Sequence, residues 1–361
     1  MFLKIIDRYI ITKFLGSFVF TVLLFAAVAV SIDISERIDD FLENSAPLSG
    51  ILMQYYLNFV PYIIFFLSPL FIFIAAIFFT SRLASRSEIV AILAGGVSFY
   101  RLLFVPYFIS AIILVGVQLY ANHFFVPNAN KVRFDFEDKY VKKKTGTSNR
   151  NVHMQIAPDT YIYTETYTTR DSMGRNFTLE SIKDKQLSYK LSAKTINWID
   201  STKQWRLGNY LAHSFNELRE TIRSGEQLDT AFNLKPSDFQ KKVNLKEAMT
   251  TPELDVFIEE EKVKGAPYIE FYQVERYRRT AVPFATFILT IIAFAISSRK
   301  VRGGVGLHLF IGIAISSTYI LLLQFATTFA TNGNLSPLLS VWLPNLLFAV
   351  ISIFLLIRAP K

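Results

Sequence analysis

The sequence contains no cysteine. Disulfides, thiolate metal sites and thiol nucleophiles are therefore excluded, and the absence is compatible with an oxidising compartment without proving one. No glycine is followed directly by lysine, so the phosphate-cradling pattern G-x-x-x-x-G-K-[ST] is missing. H-E-x-x-H and G-x-S-x-G are missing as well. The four histidines, His123, His153, His213 and His308, lie on different segments, and a metal site built from them is not expected. No cofactor is expected in this chain. Without a catalytic constellation, the energy for any work the protein does is expected to come from elsewhere.

Charge is scarce along several long tracts. Of the 361 residues, 52% are hydrophobic. A helix needs about 20 mostly apolar residues to cross a hydrocarbon core about 30 Å thick. Six runs approach that length: Phe14–Ile32, Phe59–Thr80, Leu102–Ala121, Ala281–Ser297, Leu307–Ala330 and Leu338–Ile357. Three precede residue 123 and three follow residue 280, which marks an integral membrane protein. The first run is longer than the apolar stretch of a signal peptide, so it is expected to remain as a span. Buried acidic or basic groups at mid-depth, which ion-driven transporters need, are almost absent from these runs. The fifth run is rich in small residues, among them Gly312 and Ser316, which permit close packing or sliding.

The net charge is +9, yet residues 123–275 hold 23 basic and 22 acidic side chains. Most of the excess therefore lies around the spans, where it reports topology; a nucleic-acid binder would concentrate it on a soluble face. Lys4, Arg8, Lys13, Arg82, Arg86, Arg101, Arg299, Lys300, Arg302, Arg358 and Lys361 fall on one side. Asp33, Glu36, Asp39, Asp40 and Glu43 fall on the other. This pattern predicts cytoplasmic termini and a large external middle segment. Arg276, Arg278 and Arg279 sit against it, on the outer side just before the fourth span.

The middle segment alternates in YIYTETYTT (161–169), NFTLESI (176–182), QLSYKLSAKTINWI (186–199) and QWRLGNYLAHSF (204–215), with turn residues between. A sandwich or open barrel is expected, either sealed around its core or lined by an apolar groove. Residues 251–279 read as helical, with Thr251-Pro252-Glu253 as the start. The expected domains are residues 1–122 (three spans), 123–250 (β domain), 251–279 (helical connector) and 280–361 (three spans).

Between the second and third spans lies ASRSEIVAILAGGVSF, residues 84–99. Ser85-Arg86-Ser87-Glu88 fits the capping box S-x-x-E. Ile89, Ile92, Leu93 and Gly96 then follow helical spacing, and Gly95-Gly96 suits a helix end or the close approach of another chain. The segment reads as a short cytoplasmic amphipathic helix, lying on lipid or docking a partner.

Three stretches carry a resemblance. Asp7-Arg8-Tyr9-Ile10 opens the first span, Arg86-Ser87-Glu88-Ile89 leads through Ala94-Gly95-Gly96, and Glu275-Arg276-Tyr277-Arg278-Arg279 precedes Pro283-Phe284-Ala285. Together with the layout of three spans, β domain and three spans, they resemble the LptF/LptG family of lipopolysaccharide-export permeases over essentially the whole chain; the Asp7–Ile10 opening favours the LptG type. The resemblance implies an α-helical membrane protein of six transmembrane helices with an inserted periplasmic jellyroll-like β domain, set in the inner membrane. It implies a non-catalytic permease subunit that pairs with a second LptF/LptG-type permease on a cytoplasmic ABC ATPase dimer. Lipopolysaccharide would leave the membrane and pass to periplasmic jellyroll bridge proteins, with no nucleic acid involved. The coupling helix would use Arg86, Glu88, Ile89, Ile92, Gly95 and Gly96. Spans one and five would line the cavity and its gates, involving Asp33, Gly312 and Ser316. Arg276, Arg278 and Arg279 would meet the phosphates of the lipid head. Asp33 departs from the basic residue expected near the outer end of the first span. The alternatives are a permease for another lipid or lipoprotein, or a membrane-anchored sensor or scaffold.

Overall fold

A computed structural model describes residues 4–141, 148–157, 159–168, 171–183, 186–216, 219–232, 234, 236–239, 245–263, 269–301, 304–333 and 335–359. The chain divides into two compact units. The first comprises Met1–Val141, Lys246–Leu254 and Glu270–Lys361; the second comprises Lys142–Leu245 and Asp255–Ile269.

The first unit is helical. Its elements are α1 (Ile5–Glu43), α2 (Leu48–Phe66), α3 (Ser68–Ser85), α4 (Glu88–Ala94), α5 (Phe99–Tyr140) and α6 (Leu245–Ala248), of which Leu245 falls in the other unit. Helix α7 (Thr251–Val263) is divided between the units, and α8 (Ile269–Ser297), α9 (Gly304–Thr331) and α10 (Pro337–Arg358) complete the helical set. Among the described residues, seven helices are long and apolar enough to cross a membrane. That is one more than the six apolar runs, because the run Phe59–Thr80 is split between α2 and α3. Pro69 has no N–H to give to the carbonyl of Phe65, so the helical ladder opens there. The Ser68 hydroxyl takes over that carbonyl at 2.9 Å, which keeps it satisfied away from water.

Buried polar side chains tie the helices together. Ser68 Oγ also reaches Gln118 Oε1 on α5 at 3.1 Å, and Gln118 Nε2 donates to Thr286 Oγ1 on α8 at 3.0 Å. Tyr319 of α9 donates to Asn345 Oδ1 of α10 at 2.8 Å, and Asn345 Nδ2 donates to the Ala281 carbonyl of α8 at 2.7 Å. Thr80 and Tyr107 are joined at 2.7 Å. Helix α1 stands apart from this network: only 17% of its most apolar window is buried, against 72% for α3. Its mid-span hydroxyls, Thr21 and Ser31, bond to carbonyls of α1 itself.

The second unit carries a six-stranded antiparallel sheet in the order β1 (Ser148–Ala157), β2 (Thr160–Thr168), β3 (Met173–Lys183), β4 (Gln186–Ile199), β5 (Gln204–Asn216) and β6 (Arg219–Thr230). Every neighbour is the next strand along the chain. The described strands thus make one meander, and the two-sheet crossover of a jellyroll is not among them. A turn at 200–203, an expected break, holds β5 beside β4, whereas the break expected at Ser224-Gly225 lies inside β6.

Rows of apolar residues cross the strands in register. Ile162 faces Leu179, which faces Leu191, which faces Ala212. Tyr167, Gly174, Ile196 and Leu207 form another row. Between the rows the ladder skips a level on all six strands, at Asn151, Glu165, Asn176, Lys194, Asn209 and Glu226. Asn151, Asn176 and Asn209 have φ of 52°, 52° and 49°, a left-handed conformation that asparagine tolerates better than most residues. The side-chain alternation changes phase at this crease, so Thr164 and Tyr167, or Ala193 and Ile196, share a face although three residues apart. Leu234 and Phe239 cover one end of that face: Phe239 stacks on Tyr167 at 4.0 Å, and Trp205 Nε1 donates to the Leu234 carbonyl at 2.8 Å. Tyr189 packs with the core, whereas Tyr161 is 41% exposed on the opposite face.

Candidate functional site

The elbow between α3 and α5 is built by backbone geometry. The expected capping box does not form: Ser85 closes α3, and its hydroxyl donates back to the Arg82 carbonyl at 2.9 Å. Ser87 turns the chain with φ of 59° and stands at the helix start without a side-chain cap. A box needs an extended residue at its head, and Ser85 is still helical. The elbow helix α4 ends as its glycines suggest. Gly96 takes φ of +83°, its N–H donates to the Leu93 carbonyl at 3.0 Å, and the Val97 N–H donates to the Ile92 carbonyl at 3.4 Å. These two bonds define a Schellman end. Ser98 then caps α5, accepting from the Arg101 N–H at 3.2 Å.

The six elbow residues do not share one role. Arg86, Gly95 and Gly96 are exposed, as are Ser87, Val90, Ala91 and Ala94, and Val90 reaches 64%. Ile92 is half-buried, and Ile89, at 2% exposure, lies in the bundle core with Ile10 and Phe14. Glu88 is half-buried between an Arg86 guanidinium nitrogen at 3.9 Å and the Tyr9 hydroxyl, which donates to it at 3.2 Å. A further ion pair, missed in the sequence, joins Arg101 to Asp7 at 2.9 Å. The Asp7 side chain is 2% exposed and also accepts from the Lys4 N–H at 2.8 Å. In the sequence Arg101 registers only as a topology charge and Asp7 only as the first residue of the Asp7-Arg8-Tyr9-Ile10 stretch.

At the other end of α1, Asp33 is 7% exposed. It accepts from Arg37 Nε at 3.0 Å and from the Tyr55 hydroxyl at 3.0 Å. Arg37 continues to Glu137 at 4.0 Å, Glu137 to Arg133 at 3.5 Å, and Arg133 lies over the Tyr62 ring at 4.0 Å. Asp33 thus faces a built cationic and phenolic pocket of its own chain. Sequence spacing marks Asp33–Arg37 as an i, i+4 pair, but Tyr55, Arg133 and Glu137 lie too far along the chain to be assigned to it.

The arginines ahead of the fourth span divide similarly. Arg279 is 4% exposed and has its donors engaged by Glu275 at 3.3 Å, Thr251 Oγ1 at 3.1 Å and the Lys246 carbonyl at 2.7 Å. Arg278 pairs with Glu275 at 2.9 Å with its side chain 28% exposed, and Arg276 is half-buried. Glu275, quoted within its motif but not singled out, is the centre of this cluster. Burial raises the neighbouring Glu247 carboxyl above its ordinary range and lowers the Lys246 ammonium below its own.

On α9, a Cβ at Gly312 meets Ile77 Cδ1 of α3 at 2.5 Å, so glycine sets how closely the two helices approach. Ser316 is fully buried and bonds to the Gly312 carbonyl at 2.9 Å. His308, 3% exposed, meets Ser81 Oγ at 2.7 Å. No group of three or more His, Asp or Glu among the described residues is placed to hold a metal ion.

Arg279→Ala leaves Glu275 partly uncompensated and is expected to cost roughly 3–5 kcal/mol, read as a lower thermal midpoint in detergent. Gly312→Val is expected to cost about 1–3 kcal/mol through overpacking, with recovery when Ile77→Ala is added.

A comparison with protein-family models matches residues 8–358 to the family described as Lipopolysaccharide export system permease LptF/LptG. A comparison with curated proteins gives no match.

Proposed function

The chain belongs to the LptF/LptG family of lipopolysaccharide export permeases, a multi-pass inner-membrane protein, and from this we propose how it works. It draws lipopolysaccharide out of the inner membrane and passes it to a periplasmic bridge, driven by a separate cytoplasmic ATPase that grips the elbow at residues 86–96. The observation that carries the reading is the elbow itself. An exposed surface of Arg86, Val90, Ala94 and Gly95 is backed by Ile89 in the core. A surface helix anchored in this way passes an applied force into the bundle instead of yielding locally.

Transferring acyl chains out of lipid costs about 0.8 kcal/mol for each CH₂ left in water. The passage needs an apolar lining and an energy source, and the first is supported by exposed rows on α1 and α9. Phe20 and Leu23 are 63% and 64% exposed; Phe310 and Phe325 are 72% and 63%. In this proposal a second permease of the same family closes the cavity against those rows. Gly312 and Ser316 set the spacing of the α9 gate, and Asp33 fixes the outer end of the α1 gate. Arg276 and Arg278 remain the contacts for lipid phosphates, because Arg279 is buried with its donors divided among Glu275, Thr251 and the Lys246 carbonyl, whereas Arg278 keeps part of its side chain exposed beside Glu275. The apolar face of the sheet, covered at one end by Leu234 and Phe239, is the route for acyl chains toward the bridge. The termini and the elbow face the cytoplasm, and the β domain faces the periplasm.

Affinity purification from the native membrane tests the whole reading. The wild-type chain is expected to bring a second permease, an ATPase and lipopolysaccharide. Glu88→Lys is expected to reduce the recovered ATPase about ten-fold, a change equivalent to about 1.4 kcal/mol. Undiminished ATPase with normal export in that variant would remove the elbow from the mechanism. Stimulation of ATP hydrolysis by lipoprotein and not by lipopolysaccharide would change the cargo.

A further inference from the structure

We propose that the buried Asp7–Arg101 pair is the link that carries movement of the ATPase-gripped elbow into α1; the inference rests on the coupling role proposed above. Asp7 and Arg101 would act as positioning residues, touching neither ATP nor lipid.

Two helices leave the elbow and a third, α1, is held against it, and the three differ in stiffness. Helix α3 stops at the break at Leu67, the single residue that separates it from the end of α2 at Phe66. Helix α5 changes hydrogen-bond register within its first turns, at Leu103–Tyr107, where Pro106 sits, and again at Ala121–Phe125. Helix α1 runs for 39 residues with no proline and no such change, a rod of about 58 Å at about 1.5 Å per residue. A push is absorbed at breaks and register changes and is carried along an uninterrupted helix.

The elbow holds that rod at two polar points. Glu88, where α4 begins, accepts from Tyr9, and Arg101, past the Gly95-Gly96 turn, pairs with Asp7. Between them Ile89 packs with Ile10 and Phe14. Tyr9–Glu88 is the weaker tie, since Tyr9 is 42% exposed. The Asp7 carboxylate is almost dry, so its pairing with Arg101 is little screened and does not slip. Along its middle, α1 lacks the interhelical hydrogen bonds that join α5, α8, α9 and α10. The rod is therefore gripped by polar ties at its cytoplasmic end and held along its length by apolar contacts, such as Phe25 stacked on Phe71 at 5.3 Å, before it reaches the Asp33 cluster ten residues short of its end. The same arrangement would let a displaced α1 change the pocket formed by Asp33, Tyr55 and Arg37.

The test uses the complete transporter, permeases with ATPase, in vesicles containing lipopolysaccharide. This chain has no cysteine, so Leu23→Cys on α1 and Leu346→Cys on α10 give specific nitroxide positions. Both side chains are exposed, at 64% and 58%. In the wild-type background, nucleotide is expected to shift the distance between the labels. Asp7→Asn and Arg101→Gln are expected to keep the ATPase bound and hydrolysing while the shift shrinks. Lipopolysaccharide moved per ATP is expected to fall about ten-fold, since one charge of a buried pair is left uncompensated. Arg101→Lys should restore part of the loss, and the milder Tyr9→Phe should lower the ratio less, in the same direction. An unchanged distance shift and ratio in Asp7→Asn would overturn the proposal. So would loss of the ATPase from both Asp7→Asn and Tyr9→Phe, which would make these residues part of the docking surface. Absence of any ATPase from the wild-type assembly would instead sink the coupling reading beneath it.

Discussion

A charge taken out of water has to be met by another charge, and α1 is held at both ends by that requirement. Asp7 meets Arg101 at one end, and Asp33 meets Arg37 and Tyr55 at the other. A buried pair adds little net stability over an apolar replacement, but removing one partner costs roughly 3–5 kcal/mol. What such pairs contribute is position. Between them α1 turns some apolar side chains outward, Phe20 and Leu23 among them, and buries Phe14, Val22 and Ala26, while among the described residues its middle makes no interhelical hydrogen bond, so its polar ends define where it stands. The Glu275 cluster works in the same way on α8, where one carboxylate organises two arginines and, through Arg279, the Thr251 hydroxyl and the Lys246 carbonyl.

The rest of the helical unit relies on neutral hydrogen bonds and on close contact. Gln118, Asn345, Thr80 and Tyr107 join helices without ionised groups, which suits apolar surroundings where a partner is needed but a charge is costly. Gly312 lets α9 approach Ile77. The sheet of the second unit solves a different problem. A flat strand keeps one phase of alternation throughout, whereas here a line of polar residues crosses all six strands and resets it. Left-handed asparagines on alternate strands make the reset possible, and one face stays apolar on both sides of the crease.

Local motifs misled where their backbone context was not the one they require. S-x-x-E at 85–88 has the composition of a capping box, but Ser85 belongs to the preceding helix. T-x-x-E at 250–253 has a similar composition, and there Glu253 does accept from the Thr250 N–H at 2.7 Å, which holds its carboxyl below the usual range. The run Phe59–Thr80 looked continuous because hydropathy does not register a missing N–H at Pro69. Arg276, Arg278 and Arg279 looked equivalent as one basic run, yet successive positions on a helix differ by about 100° in direction, and only the neighbours decide which one is buried. Asp7 and Arg101 are 94 residues apart, beyond any local pattern.

The family came from the resemblance of three short stretches, whereas composition and periodicity were enough for the membrane class and the interrupted layout with a β segment between helical sets, and left the Gly-Gly pair either a helix end or a close approach. Each depends on apolar run length, alternation or backbone permissiveness, and these are properties of neighbouring residues. The tertiary structure alone decided which acids meet which bases, which face of the elbow is free, and where the sheet alternation changes phase. Those outcomes depend on desolvated contacts between segments far apart in the chain, whose energies exist only once packing has excluded water from between them.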